Sequence, residues 1–502
     1  MSTMASEKIC ALAACLSLLS VGAGGRSVDQ GDMPARATSV TMVVATDLHY
    51  LAPELRDDGT AFRTFLASGD GRQVGDVDEI VEAFARDIRR IKPGVLVISG
   101  DLTNNGEKQS HLALAQKLRA IERASGTRVF VIPGNHDILN PWARGFERER
   151  QYRVDSVTRD DFRTLYGEFG YDEAISADSS SLSYLAAPSD GVWLLMLDTS
   201  EYRFNRALGR PGTRGVLASA TLEWIRQCAG RANELGAQII TVMHHNLVDH
   251  SELLHRGYTL DNGDEVRSLF GTLGLNTVLS GHLHIQDIKR IGGASTSMYD
   301  IATSSLSGYP QQYGVIERLP SGVVDYRTSR VDVEGWARDA GVTKEALRTF
   351  RVFSEAHFRD TAYRKTHAAL TATGRYSDRD AKLMAETMSL LNANYYAGTA
   401  GAVRERVVAS EGYRLWVAAA EPAFLKRYVL SMIPETAADH NHVRIPRQPQ
   451  GARSLAEAPG SRTQPSRGQR EASGFEDREG HRAPFASVCR AERRTRMDNT
   501  QS

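Results

Sequence analysis

The stretch LSGHLH, residues 279–284, places two histidines directly after an apolar run that a glycine ends. Residues 277–280 are small or apolar, which predicts a short buried strand terminated by Gly281. His282 and His284 follow at once, with one leucine between them. Neutral imidazole is the commonest metal ligand among side chains. The stretch therefore predicts a metal site, which needs further ligands from other parts of the chain.

Four other segments also place a metal-binding side chain at the end of a predicted apolar strand. They are Asp47-Leu48-His49, Gly100-Asp101, Gly134-Asn135-His136-Asp137 and His244-His245. The carboxyl ends of strands in an α/β sheet meet at one edge, so we expect the five segments to converge there. Imidazole nitrogen, carboxylate and amide oxygen without thiolate are donors that suit Mn, Fe or Zn.

The local spacing within these segments adds a geometric expectation. Residues i and i+2 of one strand point the same way, so Asp47 and His49 are expected to pinch a metal ion together. The same expectation holds for His282 and His284. Glycine lets the backbone turn sharply and approach other groups closely. Three candidate ligands directly follow a glycine, namely Asp101, Asn135 and His282.

Strand-like and helical segments alternate from residue 41 onward. The first predicted elements are strands at 42–45, 95–99 and 129–132 and helices at 77–91 and 109–124. Later strands flank a helix over 218–235, and after residue 297 the pattern contains strands alone. This order predicts a mixed α/β domain with two sheets over residues 41–332.

Beyond residue 332 the pattern changes to helices, and we expect a small helical domain over 333–433. Its aromatic residues are expected to form a core of their own. They are Trp336, Phe350, Phe353, Tyr395, Tyr396, Trp416, Phe424 and Tyr428. Residues 434–502 are rich in Arg, Pro, Gly, Ser and Glu and poor in apolar residues, so this tail is predicted to be disordered.

An apolar segment, ICALAACLSLLSV, occupies residues 9–21. A spanning helix needs roughly 20 apolar residues, so this segment suits a signal peptide over residues 1–25 instead. We expect export to the periplasm, the cell envelope or the exterior. Ordinary cleavage near Ala23 is preferred over lipoprotein anchoring at Cys15, because little apolar sequence precedes that cysteine. An N-terminal extension without a targeting role is the alternative.

Composition limits the partners of the protein. At 502 residues the chain is long enough for two or more domains. Lys and Arg together number 61, as do Asp and Glu, so no basic field covers the whole protein. We therefore expect no nucleic-acid binding and no transmembrane span, whereas a small phosphate-ester substrate is compatible with this charge balance. Once residues 1–25 are removed, Cys228 and Cys489 are too few for a disulfide framework.

The five segments in this order resemble the signature of the calcineurin-like metallophosphoesterase superfamily, D-x-H, G-D, G-N-H-[DE], H and G-H-x-H. The resemblance covers roughly residues 41–330. Within the superfamily the chain is similar to bacterial proteins described as cyclic-nucleotide phosphodiesterases. The stretches that carry this similarity are TDLHYL at 46–51, GDLTNNGEK at 100–108, GNHDILNPWAR at 134–144 and LMLDTS at 195–200. One departure is Asn246, where the family often has proline, and it puts the local loop in question.

The resemblance implies a four-layer α/β/β/α sandwich with a small C-terminal helical domain and a binuclear metal site. The residues that match the family's ligands are Asp47, His49 and His284 for one ion, Asn135, His244 and His282 for the other, and Asp101 as the bridge. Two ions about 3.5–4 Å apart bind phosphoryl oxygens and deprotonate a water for in-line attack. The identity of the metals stays open among Mn, Fe and Zn.

The resemblance also implies that His136 faces the leaving group, as a general acid or as a hydrogen-bond donor to the phosphate. Asn135 and His136 are the substrate contacts it implies. For His245, a substrate-facing role and packing of the strand are both open. Asp137 is expected to orient a histidine rather than to bind metal.

Four further polar residues near these segments have two open interpretations each. Asn104 and Asn105 are expected either to cap the next helix or to touch substrate. His250 and His255 lie in the loop after the fourth segment, where they are expected either at the surface or close to substrate.

The function predicted from this pattern is a metal-dependent phosphoric ester hydrolase, preferably a phosphodiesterase acting on cyclic nucleotides or similar diesters. A broad phosphomonoesterase or nucleotidase with the same site is the first alternative. A metal-binding scaffold without turnover is the second. The complete ligand set together with His136 favours an enzyme, because a scaffold does not need a leaving-group histidine. The oligomeric state stays open.

Overall fold

The computed structural model describes residues 39–447, apart from residue 70, residues 294–296 and residues 436–437. The predicted signal peptide, residues 1–25, lies outside the described residues, as do Cys15 and Cys489. The part of the predicted disordered tail from residue 448 onward also lies outside them. No helix in the described part of the chain is long and apolar enough to cross a membrane.

The strands form two mixed sheets and one hairpin. In chain order they are β1 (Val40–Ala45), β2 (Val95–Ser99), β3 (Arg128–Ile132), β4 (Arg144–Glu147), β5 (Arg150–Arg153), β6 (Ser176–Ala177), β7 (Tyr184–Ser189), β8 (Val192–Leu197), β9 (Gln238–Met243), β10 (Thr277–Ser280), β11 (Asp287–Ile291), β12 (Met298–Ala302), β13 (Gln312–Arg318), β14 (Val324–Arg330) and β15 (His442–Ile445).

Helices lie between the strands of the first half of the chain and follow one another after β14. In chain order they are α1 (Thr60–Ser68), α2 (Val77–Ile91), α3 (Lys108–Ser125), α4 (Arg159–Leu165), α5 (Asn205–Leu208), α6 (Ser219–Glu234), α7 (Gly263–Leu273), α8 (Val333–Asp339), α9 (Glu345–Arg348), α10 (Phe350–Ala372), α11 (Asp378–Tyr396), α12 (Ala400–Ala409), α13 (Glu411–Ala418) and α14 (Ala423–Ser431). The predicted helix 77–91 and strand 95–99 have the predicted bounds, because their apolar periodicity is a local property.

Parallel strands lie at one end of the first sheet and in the middle of the second. The first sheet has the order β15-β14-β13-β1-β2-β3, in which β1, β2 and β3 are parallel. The second has the order β11-β12-β10-β9-β8-β7-β6, in which β8, β9, β10 and β12 are parallel. The five predicted ligand segments follow β1, β2, β3, β9 and β10. They lie at the carboxyl ends of parallel strands, where ligands bind in α/β folds.

The side chains of β8 show how the layers stack. Leu194 and Met196 are buried in a core that also contains Val43 of the first sheet. Leu195 and Leu197, which alternate with them, are buried in a second core with side chains of α6 and α7. Successive residues of a strand point to opposite faces, so the two sheets face each other and helices cover the outside. The four-layer α/β/β/α prediction is confirmed.

The first helices after β14 do not form the separate core that was predicted. Phe350 is buried in the core of the first sheet, and Trp336 and Phe353 pack against that core. The reason is geometric: α8 directly follows the last residues of β14 and packs on α2. The apolar face of α8 is therefore covered by the α/β body rather than by the later helices.

The later helices do form a distinct core, and this core reaches the predicted metal site. Trp416 and Tyr428 are buried in it together with Leu283, which separates the candidate ligands His282 and His284. Ile285 belongs to the same core. The helical region, residues 333–433, thus supports the segment that carries two of the predicted ligands.

The predicted disordered tail contains a short strand. β15 pairs with β14, and Ile445 at its end is fully buried. Asn441 contributes an amide that donates to Ala397 O and Gly398 O, each at 3.1 Å. The prediction of disorder is wrong for residues 442–445. These four residues contain few apolar side chains, but they form a strand because the edge of an existing sheet offers backbone hydrogen bonds.

Candidate metal centre and active site

The five ligand segments converge, but not by the strand geometry expected from their spacing. Asp47 and His49 lie beyond the end of β1 with φ angles of 54° and 44°. His282 and His284 lie beyond β10 with φ angles of 67° and 63°, and Asp101 has 47°. We expected residues i and i+2 to point the same way because they belong to one strand. That reason is wrong, since these residues have left-handed backbone rather than strand conformation. Each such conformation costs about 1–2 kcal/mol, and strain of this kind concentrates at functional sites.

Backbone hydrogen bonds between the segments enforce this conformation. The N–H of Asp47 donates to Gly100 O at 3.1 Å, and the N–H of His49 donates to Asp101 O at 2.9 Å. On the other sheet the N–H of Gly281 donates to His244 O at 3.0 Å. The strained residues are held by partners from other segments, which fixes the directions of their side chains.

The glycines before the ligands have the role that was predicted for them. A Cβ atom on Gly100, whose φ is +97°, would meet the imidazole of His244. A Cβ atom on Gly281 would meet the side chains of Thr46 and Asp47. Close approach of the segments therefore requires glycine at these positions.

A first cluster of donors contains Asp47, His49 and His284. The Nε2 atoms of the two histidines lie 3.1 Å apart, and Asp47 Oδ1 is 3.1 Å from His284 Nε2 and 3.7 Å from His49 Nε2. One donor atom from each of the three residues lies within 4.8 Å of the others. Burial, followed by the charge of Arg72, lowers the pKa of His49 to about 3, so its imidazole is neutral and able to bind metal.

A second cluster contains Asp101, His244 and His282, again with donor atoms within 4.8 Å of one another. His244 Nδ1 donates to Ser99 O at 2.9 Å, which leaves Nε2 to face Asn135 Oδ1 at 3.3 Å. His282 Nε2 donates to Gly257 O at 2.7 Å, which leaves Nδ1 for a metal. Carbonyl acceptors that fix the tautomer of a ligating histidine are a regular feature of metal sites.

Asp101 lies between the two clusters. Its Oδ1 is 3.4 Å from His244 Nε2, and its Oδ2 is 3.6 Å from His49 Nε2. Burial acts to raise the pKa of the Asp101 carboxyl, but the charges of His244 and His136 outweigh it and hold the pKa well below its usual range. An ionised carboxylate with one oxygen toward each cluster has the geometry of a bridging ligand.

The donor set fits a divalent metal centre. Its atoms are imidazole nitrogens and carboxylate or amide oxygens, and all of these side chains are buried except those of His284 and His136, which are partly exposed. Burial opposes a charge on His244, yet the Asp101 carboxylate raises the pKa of that histidine to about 9. The same negative potential favours a bound cation. His136 and His284 lie on the side of the site that solvent reaches.

His136 is held by the loop that follows β2. Its Nδ1 donates to Asn104 O at 2.8 Å and lies 3.3 Å from Asn105 Oδ1, so Nε2 is the ring nitrogen left for a further contact. Its backbone N–H donates to Asp101 Oδ1 at 2.9 Å. Burial lowers the pKa of His136, while the charge of Asp101 opposes that shift. Asn104 and Asn105 thus act on His136, a role that neither of their two predicted interpretations included.

Three residues near the site were not predicted from the sequence. Ser305 and Ser307 each donate a hydroxyl to Asp47 O, at 2.8 and 3.0 Å. Arg72 lies close enough for its charge to lower the pKa of both His49 and His136, after the larger effect of burial. The run of small hydroxyl residues after β12 is a signal that could have identified the serines, whereas Arg72 follows no strand and belongs to no motif.

Asp137 and His245 differ from their expected roles. The Asp137 carboxylate accepts backbone N–H groups of Leu102, Thr103 and Gly134 at 2.8–3.0 Å, so it joins two ligand loops instead of orienting a ligating histidine. His245 is fully buried, and its ring nitrogens contact Thr199 Oγ1 at 2.7 Å and Thr213 O at 3.2 Å. Of the two open interpretations of His245, packing agrees with the structure and the substrate-facing role does not, because both ring nitrogens have protein partners.

The loop after His244 is anchored despite the missing proline. Asn246 donates its amide to Ser280 Oγ at 2.9 Å and to Gly281 O at 3.2 Å, which attaches this loop to the segment of His282. His255 is exposed, as one of its two interpretations predicted. His250 has neither predicted position: it is buried, with contacts of 2.7 Å to Asp287 Oδ2 and 3.1 Å to Asp300 Oδ2.

Comparison with known families agrees with this site. Residues 40–286 match the model of the calcineurin-like phosphoesterases, and residues 332–439 match the model described as the C-terminal domain of cyclic nucleotide phosphodiesterase. The chain belongs to the calcineurin-like phosphoesterases. It is a metal-dependent phosphoester hydrolase with a C-terminal helical domain of the type found in cyclic nucleotide phosphodiesterase.

The solved structures to which the chain is similar are distant in sequence. A dimetal phosphatase from Danio rerio is 13% identical, with a TM-score of 0.41, and the match covers 58% of this chain and 95% of that one. GAP50, the anchor in the inner membrane complex of Plasmodium, is 9% identical, with a TM-score of 0.31 and coverage of 59% and 85%. A comparison with curated protein sequences finds no match.

Proposed function

We propose that this protein is a phosphodiesterase that hydrolyses cyclic nucleotides or similar diesters. The observation that carries the proposal is the position of His136, whose Nδ1 is committed to Asn104 O while its ring borders Asp101 and His49. A diester has a poor leaving group that gains from a donor beside the reacting phosphorus. The match of residues 332–439 to a domain named for cyclic nucleotide phosphodiesterase supports the same substrate class.

Two metal ions fit the residues of the two clusters. Asp47, His49 and His284 would hold one, and the other would be held by His244 and His282 with Asn135. When bound, such ions neutralise charge on the phosphoryl oxygens and lower the pKa of a water. Mn, Fe and Zn are all compatible with these donors.

The chain's own residues supply the rest of the reaction geometry. Asp101 keeps the two clusters adjacent, since each of its oxygens faces one of them. His136 holds Nε2 toward the partly exposed side of the site, where it is positioned to donate to the leaving oxygen. Asn135 lies 3.3 Å from His244 and is placed to contact a phosphate oxygen as well as a metal.

A substrate panel tests this proposal. Protein loaded separately with Mn, Fe or Zn is assayed on 3′,5′- and 2′,3′-cyclic nucleotides, a nitrophenyl diester and a nitrophenyl monoester. We expect higher kcat/KM for the diesters. Preference for the monoester over every diester would instead support the phosphomonoesterase alternative. Metal binding without hydrolysis of any ester would support a scaffold.

We also propose that the protein is exported. The support is the apolar segment of residues 9–21. Expression of the full chain followed by N-terminal sequencing of the extracytoplasmic fraction tests it. A mature N-terminus shortly after Gly22 or Ala23 is expected, and an intact N-terminus in the cytoplasm contradicts export.

A further inference from the structure

A cavity of about 300 Å³ lies beside the loop that carries His136. Three cationic side chains and one carboxylate line it, and they are Lys108, Arg153, Arg206 and Asp155. Lys108 begins α3, Arg153 ends β5, and Arg206 lies on the short helix α5. Three separate segments therefore bring positive charge to one concave surface, with a volume at the lower end of the range for small-molecule sites.

The positive charge of this cavity is only partly compensated. Lys108 Nζ lies 3.2 Å from Asp161 Oδ1. Within the described residues, Arg153 and Arg206 form no ion pair. Two neighbouring arginines do form ion pairs. Arg150 pairs with Glu147 on the same hairpin, and Arg203 pairs with Glu201 just before α5. With Lys108 paired and the Asp155 carboxylate counted, the cavity keeps one net positive charge and two guanidinium groups that can bind an anion.

Hydrogen bonds connect the walls of the cavity to His136. Asn140, which lines the cavity, donates its amide to His136 O at 2.9 Å and to Asn105 Oδ1 at 3.4 Å. Asn105 Oδ1 is itself 3.3 Å from His136 Nδ1. Asn205, next to the cationic residue of α5, donates to Ile138 O at 3.0 Å. The cavity thus adjoins the loop that carries His136.

We infer that this cavity binds a second phosphate group of the substrate, carried on the leaving-group side of the scissile diester. The inference rests on the proposed function, because it takes His136 as the residue that faces the leaving group. Guanidinium groups bind phosphate with two parallel hydrogen bonds and stay charged at every working pH. Among diesters, the inference favours those with an additional phosphate, such as dinucleotides phosphorylated at one end.

A double substitution, Arg153→Ala with Arg206→Ala, tests the inference. The matched control is Arg150→Ala with Arg203→Ala, which removes the same charge from the same hairpin and the same neighbourhood but outside the cavity. Binding is measured by calorimetry with dinucleotides whose linkage is a phosphorothioate, which keeps the charge and slows cleavage. Each dinucleotide is compared with and without a phosphate at its 5′ or 3′ end.

We expect wild type and control to bind one of the phosphorylated dinucleotides more tightly than the unphosphorylated one. The cavity variant should weaken that binding by roughly 10- to 100-fold, the scale of a charge-assisted hydrogen bond. Its turnover of a nitrophenyl diester should stay near the wild-type value. Equal affinity of wild type for all the dinucleotides, or an equal loss in the control, would overturn the inference. Absence of diester hydrolysis by wild type would refute the proposed function, while a retained binding contrast would still support an anion site.

Discussion

The Nε2 atoms of His49 and His284 lie 3.1 Å apart, although 235 positions separate the two residues in the sequence. They come from different sheets, one from the loop after β1 and the other from the loop after β10. Both nitrogens lie near Asp47 Oδ1, at 3.1 Å from His284 and 3.7 Å from His49, so three donor atoms of the kind that bind metal are close together. The edge where the two sheets meet is therefore a site for a cation.

Replacing the bridging carboxylate should remove activity while keeping the fold. For Asp101→Ala we expect at least one metal to be lost and turnover to fall by more than about 10²-fold. Substitution of residues that only hydrogen-bond to metal ligands already lowers metal affinity or activity by about 10- to 100-fold, and Asp101 is expected to bind the metals directly. Metal analysis, circular dichroism and diester hydrolysis measure these effects. Asp264→Ala is the control, since that side chain is 95% exposed. Wild-type turnover with two metals retained would refute the bridging role.

The leaving-group role of His136 predicts a dependence on the ester. His136→Ala should retain both metals and slow cleavage of cyclic nucleotides by roughly 10²–10⁴-fold, the range for general acid catalysis. A nitrophenyl diester, whose leaving group needs no proton, should be affected much less. His255→Ala, at an exposed loop position, is the control. Equal losses on all esters would exclude the leaving-group role.

The ion pairs of His250 predict a pH dependence of stability. Burial opposes its charge, but Asp300 and Asp287 raise the pKa of His250 from 6.5 to about 9. A raised folded-state pKa stabilises the protein fully below pH 6.5, and this contribution is lost as the pH rises through 9. The shift corresponds to about 3 kcal/mol at most.

We compare the free energy of unfolding of wild type with that of His250→Gln. The excess stability of wild type should decrease as the pH is raised from 6.5 to 9.5. Urea unfolding at several pH values measures this difference. The control is His442→Gln, because the ion pair of His442 with Asp325 is half-exposed. A difference that does not change with pH would show that His250 is uncharged in the folded protein.

The strand β15 predicts that the end of the described chain contributes to stability. Deleting residues 440–502 removes the pairing of β15 with β14, and with it a contact of 2.6 Å between His440 Nδ1 and Asp287 Oδ1. We expect a loss of at least about 2 kcal/mol, since each internal hydrogen bond is worth roughly 1 kcal/mol. Thermal unfolding measures it, with deletion of 448–502 as the control. Equal melting temperatures for the two deletions would contradict a stabilising role of β15.

Local pattern was sufficient to predict the elements that precede the site. The helix 77–91 and the strand 95–99 follow from apolar periodicity, which depends only on neighbouring residues. The residue types of the site were also predictable, because glycine and the ligand stand next to each other at the strand ends. His282, for example, follows a glycine whose Cβ would meet Thr46 and Asp47.

Tertiary structure alone decided how these residues are oriented and what surrounds them. The left-handed backbone of Asp47 depends on hydrogen bonds to Gly100, a segment distant in sequence, so no local spacing could predict it. Arg72 and Ser305 come to the site from segments without a motif, and β15 forms only because the edge of β14 offers unpaired backbone groups. Sequence determined which chemistry the ligand segments carry, since that depends on side-chain type. Only the packing of the two sheets decided which residues meet, because distances between remote segments depend on every contact in between.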